Sequence, residues 1–187
     1  MQYIKWKDGN KYDGSQITPS WAFQEFKIKS STIISWIGPM NIKSDNLIDY
    51  EDIGLEIKGN KMLHFIVEHF DQQPGNLKLA YHRQRLLVMI TRDKLLAYGV
   101  KTTQDGDDIF IDDKKLSVSI ATASISTMKI HFALNITCDG TPRDVETSSL
   151  EDNMDVEEIS NLQDSIANEY IDMITTIEKD ITKTKIF

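Results

Sequence analysis

One cysteine, Cys138, is all the thiol chemistry in this chain of 187 residues. That excludes an internal disulfide and any zinc site built on clustered cysteines, so catalysis, where there is any, rests on oxygen and nitrogen groups or on a bound cation. Cys138 stands before Asp139-Gly140 and reads as a turn residue. Basic charge is scarce as well. Lys and Arg number 21 against 29 Asp and Glu, a formal charge of −8, which argues against broad nucleic-acid binding because that needs a basic face. No segment reaches the roughly 20 apolar residues of a membrane span. The first residues, Met1-Gln2-Tyr3-Ile4-Lys5-Trp6-Lys7, lack an apolar signal core. A cytoplasmic protein without membrane association is the expectation. What is present, 40% hydrophobic and 27% charged residues, suits one globular domain over residues 1–187 with a substantial core.

Residues 1–30 are polar and turn-rich, with Asp8-Gly9-Asn10, Asp13-Gly14 and Thr18-Pro19-Ser20, which predicts short strands or a hairpin. Ser31 to Ile37 is a β-branched run and reads as a buried strand stopping at Gly38-Pro39. Asp45 to Asp52 reads as an acidic loop. From Gly59, Leu63, Ile66, Val67 and Phe70 recur at three- and four-residue spacing up to Gln72-Gln73-Pro74-Gly75, which predicts a helix. On such a helix His64 and His69 stand about 140° apart and cannot share a metal, whereas His64 and Glu68 make an i,i+4 contact.

Leu79 to Tyr98 predicts a second helix with Leu86, Leu87, Ile90, Leu95 and Tyr98 inward, ended by Gly99. It opens with Tyr81-His82-Arg83-Gln84-Arg85, the one compact cluster of positive charge and donors. Either Arg83 or Arg85 holds a carboxylate or phosphate through a forked hydrogen bond, or both are solvated on a helix flank; His82 reads as a surface histidine or a general base. Arg143 to Glu158 reads as a mobile loop or a lid. Ile159, Leu162, Ile166, Tyr170, Met173, Ile174, Ile177 and Ile181 trace an amphipathic helix over about 159–181 that packs on the apolar face of a sheet.

The stretch Gly106 to Asn135 carries the chemistry. A period of two sets Leu116, Val118 and Ile120 on one face and Lys115, Ser117, Ser119 and Ala121 on the other. Met128, Ile130, Phe132, Leu134 and Ile136 form a second apolar row opposite Lys129, His131, Ala133 and Asn135. A row of small polar residues around one lysine reads as the floor of a ligand cleft, with two alternatives: a solvated face, or a face covered by a helix.

The run Asp107-Asp108-Ile109 with Lys114-Lys115-Leu116-Ser117 resembles the Asn-Asp-Ile/Leu … Arg-Lys-Ile/Leu-Ser/Ala-Gly signature of biotin and lipoate protein ligases, and His131-Phe132-Ala133-Leu134-Asn135 resembles their Gly-Ile-Gly-Ile-Asn strand. Nearly the whole chain resembles the archaeal domain of unknown function 366 family. The landmarks are Tyr12-Asp13-Gly14-Ser15-Gln16 with Trp21, Met62 to Asp71, Gln84-Arg85-Leu86-Leu87, and Gly106-Asp107-Asp108 with Lys115 to Thr122. The resemblance implies an α+β fold, a mixed and mainly antiparallel sheet packed with helices, of the biotin/lipoate ligase-like (class II synthetase-like) kind. It implies ATP with Mg²⁺ near Asp108, and no metal held by a protein cluster. The expected partners are a small carboxylic acid, the nucleotide and an acceptor protein lysine, with an oligomer left open.

On that resemblance Lys115 is catalytic, offsetting the negative charge that builds as an acyl-adenylate forms. Asp108 orients Mg²⁺ or Lys115, Ser117, Ser119 and Asn135 donate hydrogen bonds, Arg83 or Arg85 binds the anion, and Asp107 and His131 belong to the ligand-binding set. Two features depart from the pattern. Val118 stands where the signature has glycine, and neither the Arg-Arg-x-Ser-Gly-Gly-Gly run nor the Gly-Arg-Gly-Arg-x-Gly loop is present, so lipoate and biotin are not implied as substrates. Those departures motivate an alternative, a binding module without catalysis. Trp6 and Trp21, read as exposed, motivate a third expectation, a structural subunit of an assembly.

Overall fold

The computed structural model describes residues 1–186. In chain order the elements are β1 (Gln2–Lys5), α1 (Trp21–Phe26), β2 (Thr32–Asn41), β3 (Lys58–His69), α2 (Leu77–Ala97), β4 (Thr103–Asp105), β5 (Asp108–Ile111), β6 (Lys114–Lys115), β7 (Ser117–Ala123), β8 (Met128–Asn135) and α3 (Val156–Thr182). Five strands form the main sheet in the order β1-β2-β3-β8-β7, and β4-β5-β6 form a small second sheet. Among the paired strands of the described residues, β1 and β2 run parallel and the other pairs are antiparallel. This is the mixed, mainly antiparallel α+β architecture.

Period-two alternation divides the main sheet into two buried faces. Ile33, Leu63, Phe65, Val67, Ile130, Phe132 and Leu134 meet α2 and α3 in one core cluster. The long helix packs by the apolar stripe expected of it, through Ile159, Leu162, Ile166, Tyr170 and Ile174, while Ile177 and Ile181 lie past the sheet and exposed. On the other face Ile34, Trp36, Met62, Ile66 and Ala133 pack against Tyr12, Ile17 and Ala22 of the N-terminal segment. Trp6 and Trp21 are half-buried there, edge-on to each other and to Phe26. They are core aromatics, so the motive for a structural-subunit reading falls away.

Residues Lys58–His69 form a strand, not a helix. Met62 through Val67 are buried without interruption, because helices cover one face of β3 and the N-terminal segment the other. A strand buried on both sides loses its alternation, and its apolar spacing then imitates a helix. His64 and Glu68 consequently share one face with Ile66 between them, and His69 points to the opposite face, where its Nε2 is 2.9 Å from the Tyr170 hydroxyl. The predicted i,i+4 contact does not exist.

Of the two expectations for the N-terminal segment, a short strand is found and a hairpin is not: β1 joins the sheet beside β2. Strand β2 also runs past Gly38-Pro39 to Asn41 through a register shift between Gly38 and Met40. Glycine is required at that shift: a Cβ on Gly38 would stand 2.0 Å from the Asn10 carbonyl oxygen. Gly99, at φ +81°, ends α2 as read from sequence. Segment 143–155 is not a free lid. Lys115 N donates to Glu146 O at 2.9 Å, Ser148 N donates to Lys115 O at 3.0 Å, and Leu150 and Met154 are buried.

The faces of β7 need the largest correction. In register, Ser117, Ser119 and Ala121 oppose Leu134, Phe132 and Ile130, whereas Val118 and Ile120 oppose Ala133 and His131. The small row therefore belongs to the helix side, where α2 lies against β7; small side chains let the helix approach closely. Replacing Ala121, 2% exposed, by leucine overfills this seam and is expected to cost about 1–3 kcal/mol. An unchanged urea midpoint would show that the row is not part of a packed layer.

Candidate functional site

A cleft of about 390 Å³ opens on the face opposite the helices. Its floor is Val118 and Ile120 of β7, His131 and Asn135 of β8 and Met62 of β3; the 46–58 strap, the small sheet and the turn at Thr141–Thr147 form its rim. The predicted cleft thus lies on the polar face of β8 but on the apolar face of β7. Ser117 and Ser119 still border it, at the end where β7 leaves the small sheet. Val118, at the signature's glycine position, is part of the floor.

Lys115 lies at the rim with Nζ 2.8 Å from Asp108 Oδ2, both side chains about one-third exposed. Burial raises the Asp108 carboxyl above the ordinary range, and the Lys115 ammonium draws it back. Asp107 is held from behind: Gln84 Nε2 donates to its Oδ2 at 2.7 Å and Arg85 Nη1 sits 3.1 Å from its Oδ1. Gln84 is fully buried and also donates to Ser119 Oγ at 2.7 Å, so the start of α2 is tied to the rim. Asn135 Nδ2 donates to the Lys115 carbonyl at 3.3 Å and to the Ser148 carbonyl at 3.2 Å, which fixes the backbone carrying Lys115. Ser117 Oγ accepts from Ile109 N at 2.8 Å.

Of the residues expected at the site, Lys115, Asp107, Asp108, Ser117, Ser119, His131 and Asn135 come together. Arg85 stands behind Asp107, outside the lining. Arg83 is elsewhere, in a forked pair with both oxygens of Asp71 near His69, because α2 turns that flank away from the cleft. His82 is exposed on α2. No group of three or more His, Cys, Asp or Glu side chains able to hold a metal ion exists among the described residues. With Asp107 and Asp108 both engaged by cations, the residues present do not make a resident Mg²⁺ site.

Sequence reasoning missed the partner that His131 has on the same face of the sheet. His64 Nε2 donates to the Gly38 carbonyl at 3.1 Å, and its Nδ1 is 3.2 Å from His131 Nε2. Burial pushes His64 down to about 3 and His131 well below the usual imidazole range. Both rings are then neutral at pH 7, so His131 Nε2–H donates to His64 Nδ1 and His131 Nδ1 keeps its lone pair. Tyr12 stacks on His131 with ring centroids 3.6 Å apart and planes 9° from parallel. The Tyr12-Asp13-Gly14 run marked this tyrosine in the sequence; the histidine pair was hidden by the helical misreading of β3.

The solved structures similar to this chain include three informative ones. The putative lipoate protein ligase Ta0514 from T. acidophilum, with bound lipoic acid, is 11% identical with a TM-score of 0.63, covering 91% of this chain and 85% of that one. A biotin protein ligase from Aquifex aeolicus in complex with biotin and ATP is 12% identical with a TM-score of 0.56, covering 90% and 70%. These show the biotin/lipoate ligase fold. A protein of unknown function from Pyrococcus horikoshi is 33% identical with a TM-score of 0.92, covering 100% and 98%. The uncharacterized protein MJ0805 of Methanocaldococcus jannaschii is 38% identical over 190 residues, 98% of this chain and 84% of that protein. The model of the domain of unknown function family DUF366 matches residues 1–185, and the chain belongs to that family.

Proposed function

We propose that the cleft activates a small carboxylic acid with ATP and passes the acyl group to an amine. A carboxylate oxygen attacks the α-phosphorus, the bond to the β-phosphate oxygen breaks and pyrophosphate leaves. The amine then attacks the acyl carbon, AMP leaves and the amine sheds a proton. Lys115 offsets the charge that develops in both steps, with Asp108 orienting its ammonium. The observation that carries this reading is Lys115 at the cleft rim, 2.8 Å from Asp108, in a fold whose members include proteins solved with lipoic acid or with biotin and ATP.

The test is ATP–pyrophosphate exchange with a panel of acids including lipoate, octanoate and biotin. Acid-dependent exchange is expected, falling about 10²–10³-fold in Lys115→Ala, the loss typical of removing one charge-stabilising donor. No exchange from folded wild-type protein with any acid would sink it.

Two observations favour a second reading, a binding module without turnover. Val118 occupies the floor where the ligase signature leaves backbone bare, and Asp49, Glu51, Asp52 and Asp144 add negative charge to the lining. Burial and its neighbour Asp49 raise the Asp52 carboxyl. Such a rim repels a nucleotide that arrives without cations. Calorimetry with an acyl-adenylate analogue separates the two readings: tight binding without exchange supports the module, and no binding removes both.

A further inference from the structure

The face that floors the cleft continues into a second cavity of about 290 Å³. Its floor is the next rung along the same strands, Thr122 of β7 opposite Lys129 of β8. Gly14, Ile17, Thr18 and Pro19 wall one side, and Asn46, Leu47 and Ile48 line both cavities. From His131 to Lys129 the strand advances about 7 Å, so the two compartments follow one another along β8.

Lys129 is 1% exposed, and its Nζ, 5.7 Å from the centre of the Trp21 ring, is buried without a hydrogen bond within the usual limits among the described residues. The nearest anion is Glu68, with Oε2 3.5 Å away. Glu68 is shared: Oε1 also accepts from Ser20 N at 2.5 Å and Oε2 from Ala22 N at 3.2 Å. Burial drives the ammonium down to about 8, with Glu68 only partly offsetting it. An ammonium carries three donors, and leaving them unused in a dry site costs several kcal/mol. A carbonyl or a water supplies an acceptor; an oxyanion supplies an acceptor and a second negative charge beside that of Glu68.

We propose that this second cavity is a binding compartment for an oxyanion, a carboxylate above all, which accepts hydrogen bonds from Lys129. We further infer that it receives the far carboxylate of an elongated acid whose reacting carboxylate lies beside Lys115; this part rests on the acyl-activation reading, and the oxyanion site does not.

The test follows Lys129 by NMR in protein labelled with ¹³C-lysine. Acetate or inorganic phosphate is expected to shift its Cε signals saturably and to raise its apparent pKa, by about one unit, a tenfold change, at nine times Kd. Filling the cavity by Thr122→Phe, or by Thr18→Trp should that variant not fold, is expected to abolish the response, and Lys115→Ala to leave it intact. No response from the wild type, or an equal response with the cavity filled, overturns the site. In the exchange assay, α,ω-dicarboxylates are expected to act at tenfold lower concentration than monocarboxylates of equal length, an advantage lost in Thr122→Phe. Equal potency overturns the elongated substrate. Lys129 titration without exchange by any acid upholds the oxyanion site and rejects acyl activation.

Discussion

Between pH 7 and pH 4 the protein is expected to lose most of its stability, because histidines buried as neutral rings must be protonated for the chain to gain what its unfolded state binds freely. His64 and His69 are both pushed down to about 3, chiefly by burial, with Arg83 adding to the effect on His69; His131 is lowered in the same direction by burial and by His64. In the unfolded chain each titrates near 6.5. The stability these rings contribute is thus fully present above about pH 6.5 and falls as the pH drops toward 3, since only the unfolded state takes up protons in that window. At about 1.4 kcal/mol per unit, His64 and His69 each remove roughly 3 kcal/mol by pH 4.5, and His131 acts in the same direction. Together these losses are a large share of the stability of an ordinary domain, about 5–15 kcal/mol.

Urea unfolding followed at pH 7, 6, 5 and 4.5 checks this. The free energy should fall with a slope of two to three protons taken up on unfolding, well above the range where most carboxylates titrate. The imidazole signals of His64 and His131 should also stay unshifted in the folded protein through pH 6. A midpoint flat between pH 7 and 5 would mean that the pair is hydrated or already charged.

How the site was legible in the sequence depends on what each residue has to do. Lys115, Asp107 and Asp108 were found because they sit within one short run whose spacing resembles a known signature, and Asn135 because its strand resembles the one that follows in the same signature; a β-strand register carries such spacing into space directly. The long helix Val156–Thr182 was found because only one of its faces is buried. Strand β3 was lost for the converse reason: covered on both faces, it has no polar alternation to betray it. With it went His64 and Glu68, whose roles exist only across strands, in rungs with Trp36, Ala133, Thr32 and Lys129. The same limit reversed the faces of β7. Serine and alanine in a row report only that something comes close, and whether that is a ligand or helix α2 is set by the partner strand. Arg83 and Arg85 differ by two residues in sequence yet face different ends of the molecule, because two residues on a helix turn through about 200°.

Glu68→Ala is expected to destabilise the fold by about 3–5 kcal/mol, the range for removing one partner of a buried ion pair. The carboxylate is fully buried and serves three donors at once: the amides of Ser20 and Ala22 and, at longer range, the ammonium of Lys129. Deleting it leaves two amides unpaired at the start of α1 and a buried amine with no counter-ion. Lys129→Met alone should cost less, since methionine fills the volume of the lysine stem and the carboxylate keeps its two amides. The double replacement should cost less than the sum of the two by more than 1 kcal/mol, because each single variant strands a charge and the double variant strands none. Urea midpoints of the four proteins give this cycle. A loss below 1 kcal/mol in Glu68→Ala would show that water reaches the pair. Additive losses would show that Glu68 serves α1 alone, leaving the face of Trp21 as the internal partner of Lys129.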